Sequence, residues 1–155
     1  NPVSGVILRY MDLTLSGGSG NPEWTLRYMG APYGICIAEA NAILLQNVHV
    51  RWGELKGLWQ HAIFARNSAG IALSHVDTAS SPNCGEGDAA IHCVNCSDIS
   101  LRSCSAEAGT KRFLSVSGGP EGDAVRLIGN DFSGAETPVS CDAEILESGN
   151  LRRPT

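Results

Sequence analysis

The chain has 155 residues, a formal net charge of −5 and 17% charged residues, and it contains 18 glycines. This length suits one domain, residues 1–155, and the glycine content is typical of a turn-rich β protein. We expect no nucleic-acid partner, because Lys and Arg form no extended cluster. We also expect no membrane contact, because no apolar run reaches the roughly 18 residues that a membrane span requires.

Short alternating strands follow one another along the chain, beginning with Gly5-x-Ile7 and Leu13-x-Leu15. From Ile35 onward the pattern appears three times, and adding 28 to a residue number gives the equivalent position in the next repeat. The first repeat contains the runs Ile35-x-Ile37, Ile43-x-Leu45 and Val48-x-Val50, and equivalent runs start at positions 63, 71 and 76 and again at 91, 99 and 104. Apolar residues two apart, repeated at a fixed period, predict an all-β parallel β-helix, a solenoid whose strands stack on their neighbours.

Further strands extend the pattern to about six coils, with one supersecondary unit in each repeat. Val125-x-Leu127 is equivalent to Ile99-x-Leu101, at an offset of 26 residues in place of 28. Val139-x-Cys141 and Ala143-x-Ile145 form a shorter last coil. The alternation places one set of apolar residues in the core: Ile63, Ile71, Leu73, Ile91, Ile99, Leu101, Val125 and Leu127. The chain opens on Asn1-Pro2 within a strand pattern, so we interpret it as an excerpt of a longer β-helix protein. Open ends of a solenoid then favour end-to-end contacts with the remainder or with another copy.

Six cysteines divide between strands and turns. Cys93, Cys104 and Cys141 fall on inward strand positions, which favours buried free thiols. Cys84 and Cys96 fall in turns and are the better candidates for a disulfide. The isolated Cys93-x-x-Cys96 pair lacks a second ligand pair at zinc spacing, so we expect no metal and no cofactor.

Loops and turns repeat with the strands. Three loops, residues 16–34, 51–60 and 79–88, each lead into the first strand of the next coil, so we expect them to project from one region and form a binding face. Glu39, Asn67 and Asn95 occupy equivalent turn positions, and stacked amides there can hydrogen-bond as a ladder.

The candidate site consists of His61, Asp88, His92 and Arg112, near the start of the first strand in successive coils. A carboxylate, imidazoles and a guanidinium at stacking distance can bind an acidic sugar or transfer protons. Trp59 lies in the adjoining loop, where an indole face can stack on a sugar ring. A solvated strand face carrying unrelated polar residues remains the alternative interpretation.

Hydrolysis of a glycosidic bond requires two carboxyl groups, so Asp88 needs a partner. The candidate partners are Glu86, Glu54 and Asp77, and none of them repeats a paired spacing.

Several stretches resemble the pectin-lyase-like β-helix superfamily, and within it bacterial polygalacturonase-like proteins of glycoside hydrolase family 28. These stretches are Asp88-Ala89-Ala90-Ile91, Ile99-x-Leu101-Arg102-x-Cys104, Phe113-Leu114 and Leu127-Ile128-Gly129-Asn130-Asp131. The resemblance covers about residues 5–145 and implies a right-handed helix, as does the usual crossover rule. It further implies a polysaccharide or oligosaccharide partner and an extracellular or periplasmic location.

The catalytic motifs of that family are largely missing. Gly87-Asp88-Ala89 keeps one Asp of the family's Gly-Asp-Asp motif, and Gly109-Thr110-Lys111-Arg112 lacks the His of its Gly-His-Gly motif. We therefore expect the C-terminal β-helix portion of a polysaccharide-processing protein, without a complete catalytic set of its own. The alternative is a non-catalytic module for glycan binding or structural support.

Overall fold

The computed structural model describes residues 3–17, 33–55, 60–81 and 89–154. The strands are β1 (Val3–Gly17), β2 (Tyr33–Ala38), β3 (Ala40–Leu55), β4 (His61–Arg66), β5 (Ala69–Thr78), β6 (Ile91–Val94), β7 (Ser97–Arg102), β8 (Ser105–Ala106), β9 (Thr110–Ser117), β10 (Ala124–Ile128), β11 (Ala135–Cys141) and β12 (Glu144–Ser148). These residues contain no helix that could cross a bilayer. The predicted all-β class is confirmed.

Successive strands alternate between two parallel sheets. One sheet has the order β1-β3-β5-β7-β10-β12, with β8 beside β5, and the other has the order β11-β9-β6-β4-β2. Ile35 pairs with Ile63 and Ile63 with Ile91, so the period of the sequence repeat is also the offset between paired strands. The same offset separates the paired strands β3, β5 and β7 of the larger sheet.

The core lies between the inner faces of the two sheets. All eight predicted core residues are buried, at 1% exposure or less, and Leu101 and Leu127 pair across β7 and β10. Phe113 and Phe132 are also fully buried, with ring centroids 5.7 Å apart. The alternating apolar residues therefore form one continuous cluster.

Backbone corners recur at matching positions in successive strands, where residues adopt a positive φ. In the described ranges, the residues with a positive φ form three aligned sets, and only Gly109 and Gly122 belong to none of them. The sets are Glu39, Asn67, Asn95 and Gly118; Gly5, Ala42, Gly70 and Asp98; and Tyr10, Asn47, His75, Ser103, Gly129 and Gly149. The strand registers align the members of each set. The left-handed conformation costs a non-glycine residue about 1–2 kcal/mol, so the corner geometry is imposed by the stacked strands.

Two amide ladders connect the corners. On the surface, Asn67 Nδ2 donates to Glu39 Oε1 at 2.8 Å, and Asn95 Nδ2 donates to Asn67 Oδ1 at 3.4 Å, which confirms the predicted ladder. It stops at Gly118, where a Cβ would overlap Asn95 Oδ1. A second ladder lies inside the protein, where Asn130 Nδ2 donates to Asn150 Oδ1 at 3.0 Å. The sequence did not predict this ladder.

Three predictions about individual positions are wrong. In β1 the residues packed against the core are Val6 and Leu8, whereas Ile7 is 52% exposed, so the predicted phase of Gly5-x-Ile7 is off by one position. The predicted loop 51–60 is strand as far as Leu55, because β3 continues through this segment. Cys96 lies in the turn between β6 and β7, as predicted, but it is a buried free thiol and not half of a disulfide.

The other cysteines follow the strand pattern more closely. Cys93 and Cys104 are buried free thiols, as predicted, whereas Cys141 is only partly buried. Cys36 is an exposed free thiol on β2. Cys84, the other half of the predicted disulfide, lies outside the described residues.

Candidate functional site

A cluster of four rings lies on the smaller sheet, at the starts of β2, β4 and β6. Tyr33 stacks on Phe64 with ring centroids 4.3 Å apart and an interplanar angle of 18°. His61 stacks on both rings, at 5.6 Å from Tyr33 and 5.8 Å from Phe64. His92 meets His61 edge-on at 4.8 Å. We call these four residues the ring cluster.

The strand register brings these rings together. Tyr33 pairs with His61, and Phe64 pairs with His92, each pair being separated by one period of the repeat. Because paired residues of neighbouring parallel strands lie about 4.8 Å apart, rings at these positions come within stacking distance. The Tyr33–His61 and Phe64–His92 contacts of the ring cluster therefore follow directly from the repeat.

The two histidines form a hydrogen-bonded pair anchored to the backbone. His61 Nδ1 lies 2.7 Å from Ala89 O, and since a carbonyl can only accept, Nδ1 carries the proton and donates it. In the neutral ring Nε2 is then an acceptor, and it lies 3.3 Å from His92 Nδ1. The anchored His61 thereby orients the ring of His92.

Exposure differs within the cluster. His61 is only 4% exposed, whereas Tyr33, Phe64 and His92 are partly exposed. Partly exposed aromatic faces stack on the apolar faces of planar or cyclic ligands, and imidazoles supply hydrogen bonds to ligand oxygens. The cluster can thus bind a ligand with apolar faces and polar edges. His61, which is buried, would not touch such a ligand but would hold the ring of His92 in place.

Arg112 of β9 lies on the strand next to this site. Ala90 N donates to Arg112 O at 2.9 Å, so the backbone of Arg112 lies beside the segment whose Ala89 carbonyl holds His61. Its side chain is partly buried, and its Nε atom is inaccessible to solvent. Of the predicted site residues, the structure brings His61 and His92 into contact and places Arg112 one strand away.

Among the other candidate residues, only Asp77 has a described side chain. Asp88, Trp59 and Glu86 are outside the described residues, as is the side chain of Glu54. Asp77, proposed as a partner carboxylate for Asp88, is on the larger sheet and lies 3.0 Å from His49 Nδ1. The structure therefore does not pair Asp77 with the ring cluster.

The Tyr33–Phe64 stack and the His49–Asp77 pair were missed from the sequence. Only the second was accessible from the repeat, since adding 28 to His49 gives Asp77, whereas adding 28 to Tyr33 gives His61 and not Phe64. Among the described residues, no group of three or more His, Cys, Asp or Glu side chains is placed to hold a metal ion.

Comparisons with protein-family models, with curated proteins and with solved structures found no match to this chain.

Proposed function

We propose that the chain is a right-handed parallel β-helix of about six coils that binds an acidic oligosaccharide or polysaccharide on its ring cluster. Three features support the solenoid: strands that alternate between two parallel sheets, a constant offset between paired strands in the repeats, and corners aligned in three sets. Each is expected when a chain winds repeatedly around one core.

The ring cluster is the observation that carries the proposed function. The stacked pair Tyr33 and Phe64 offers an aromatic platform, and aromatic platforms stack on the apolar faces of sugar rings. His92 stands edge-on at the border of the platform, 5.7 Å from Phe64, where its ring can hydrogen-bond to a sugar carboxylate or hydroxyl. Arg112 on the next strand adds positive charge, which favours a uronic acid over a neutral sugar.

Binding is the better supported activity of this surface. The contacts that build the cluster are ring stacking, an imidazole pair and a backbone carbonyl, which provide recognition. Hydrolysis of a glycosidic bond requires two carboxyl groups roughly 5–9.5 Å apart. We therefore propose a glycan-binding β-helix portion of a larger, polygalacturonase-like polysaccharide-processing protein, in an extracellular or periplasmic location.

The test is a calorimetric titration of this chain with galacturonic acid oligomers. Phe64→Ala removes half of the platform and should weaken binding about tenfold. Leu146→Ala is the matched control, because Leu146 is 46% exposed on the other sheet and its loss should leave the affinity unchanged. Equal affinities of wild type and Phe64→Ala, or no binding by the wild type, would contradict the proposal.

A further inference from the structure

A polar pocket lies on the larger sheet, away from the ring cluster. It is an open pocket of about 310 Å³ between β1 and β3, lined by Tyr10, Met11, Asp12, Asn47 and His49. Its residues belong to neighbouring strands in register, with Asp12 opposite His49. The pocket thus combines an aromatic ring with an amide, an imidazole and a carboxylate.

Tyr10 occupies this pocket at a conformational cost. Its φ is +54°, in the left-handed region that bulky residues rarely adopt, and it is 78% exposed, so burial does not compensate for the strain. The same corner position holds smaller residues in other strands, namely Asn47, His75, Ser103, Gly129 and Gly149. The stacked strands impose this φ on every member of the set, so Tyr10 is distinguished by a large ring that is exposed and lies beside polar side chains.

The polar groups beside Tyr10 are held in place by the sheet. His49 Nδ1 lies 3.0 Å from Asp77 Oδ2 and donates to it, which fixes the imidazole. Asp12 and Asp77 flank His49 in register on its two sides, about 4.8 Å away along the sheet. Two carboxylates around one imidazole repel an acidic ligand, and they accept hydrogen bonds from hydroxyl groups.

We propose that Tyr10, Asp12, Asn47 and His49 form a second saccharide-binding site, selective for sugars that carry no carboxylate. The ring of Tyr10 stacks on the sugar face, and the oxygens of Asp12 and Asn47 accept from its hydroxyl groups. This site does not depend on the ring cluster, which lies on the other sheet. A mixed polysaccharide with acidic and neutral segments would engage both surfaces of one chain.

The test uses Tyr10→Asn, which removes the ring and keeps a residue suited to positive φ. Asn47 already adopts φ +54° at the matching corner of β3, so the variant is expected to fold, and circular dichroism checks this. The probes are cello-, xylo-, manno- and chito-oligosaccharides, titrated into wild type, Tyr10→Asn, Asp77→Asn and Phe64→Ala. At least one probe should bind the wild type and bind Tyr10→Asn about tenfold more weakly, with a smaller loss in Asp77→Asn.

The same titrations separate this site from the ring cluster. Phe64→Ala should bind the neutral probe with unchanged affinity, and Tyr10→Asn should bind galacturonic acid oligomers with unchanged affinity. The proposal is wrong if no neutral probe binds at millimolar concentration, or if Tyr10→Asn binds as tightly as the wild type. A neutral probe whose binding is lost in Phe64→Ala and kept in Tyr10→Asn would also overturn it, because that ligand would occupy the ring cluster.

Discussion

Ser68 and Cys96 occupy equivalent positions in successive repeats, each one residue after a corner, and each donates a hydrogen bond to a backbone carbonyl. Ser68 Oγ donates to the carbonyl of Arg66, two residues earlier, at 2.8 Å. Cys96 Sγ donates to the carbonyl of Val94, also two residues earlier, at 3.4 Å. The buried thiol of Cys96 therefore acts as a hydrogen-bonding side chain. Cys93, three residues before it, lies in a strand between Ala65 and Val116, and its thiol lies beside that of Cys96.

A serine should be tolerated at position 96, whereas at position 93 it should reduce the stability of the protein. Cys96→Ser keeps the hydrogen bond seen at Ser68, so the free energy of unfolding should stay within about 1 kcal/mol of the wild type. Cys93→Ser places a more polar hydroxyl at the buried strand position between Ala65 and Val116, beside the Cys96 thiol, which should cost about 1–3 kcal/mol. Urea denaturation of both variants measures the difference, and equal losses would show that the two thiols are not distinguished in this way.

Alkaline pH should destabilise the protein through Cys104. Burial raises the pKa of this thiol from 9.0 to about 12. Its stabilising contribution is complete below pH 9 and is lost as the pH rises towards 12, because the unfolded thiol ionises first. The loss at pH 11 should be about 2–3 kcal/mol.

Cys104→Val provides the matched control for this pH dependence. Val48 and Val76 hold the corresponding positions on the preceding strands, so a valine should fit there. Urea denaturation between pH 8 and pH 11 should show a weaker pH dependence in the variant than in the wild type. The same slope in both proteins would assign the effect to other groups.

The interior ladder should matter more to stability than the surface ladder. Asn130 is 1% exposed, accepts from Cys104 N at 2.9 Å and donates to Leu101 O at 3.1 Å. Asn130→Ala removes the side chain that bonds to Cys104 N and Leu101 O, and it should lower the free energy of unfolding by about 2–4 kcal/mol. Asn67→Gly, in the exposed ladder, keeps a residue suited to positive φ and should cost less than about 1 kcal/mol. Thermal denaturation compares the two, and a larger loss in Asn67→Gly would contradict the ranking.

The chain on its own should not hydrolyse polygalacturonan. Gly87-Asp88-Ala89 supplies one carboxylate shortly before β6 in the chain, and hydrolysis requires two. A reducing-sugar assay should give the same background for the wild type and for Asp88→Asn. Turnover by the wild type that Asp88→Asn abolishes would instead identify Asp88 as a catalytic residue.

Much of the fold was predictable because one period sets the pairing of most strands. Adding 28 to Ile63 gives Ile91, and the two residues pair and are buried as predicted. The phase of β1 was not predictable, because β1 pairs with β3 at a different offset, Val6 opposite Ile43, and because Val6, Ile7 and Leu8 are consecutive apolar residues without alternation. A changed spacing alone does not hide the phase, because Val125 and Leu127 alternate clearly and were predicted correctly at an offset of 26.

The candidate site was predictable only in part. His61 and His92 were expected near each other, and they form the hydrogen-bonded pair. The burial of His61 depends on its bond to the Ala89 carbonyl, and a backbone contact of this kind leaves no residue-type signal in the sequence. Cys96 was considered for a disulfide for a related reason, since the sequence does not show that its thiol bonds to a backbone carbonyl as the Ser68 hydroxyl does.

The aligned corners also show where this chain tolerates a change of length. Ile91 pairs with Leu114 and Ala124 with Glu144, both at offsets shorter than the period of the repeats, yet Asn95 still aligns with Gly118 and Gly129 with Gly149. The segments between corners therefore differ in length from one repeat to the next, while the corners stay aligned. In evolution or in engineering, insertions and deletions in this protein should be accepted in the connecting segments and rejected close to a corner.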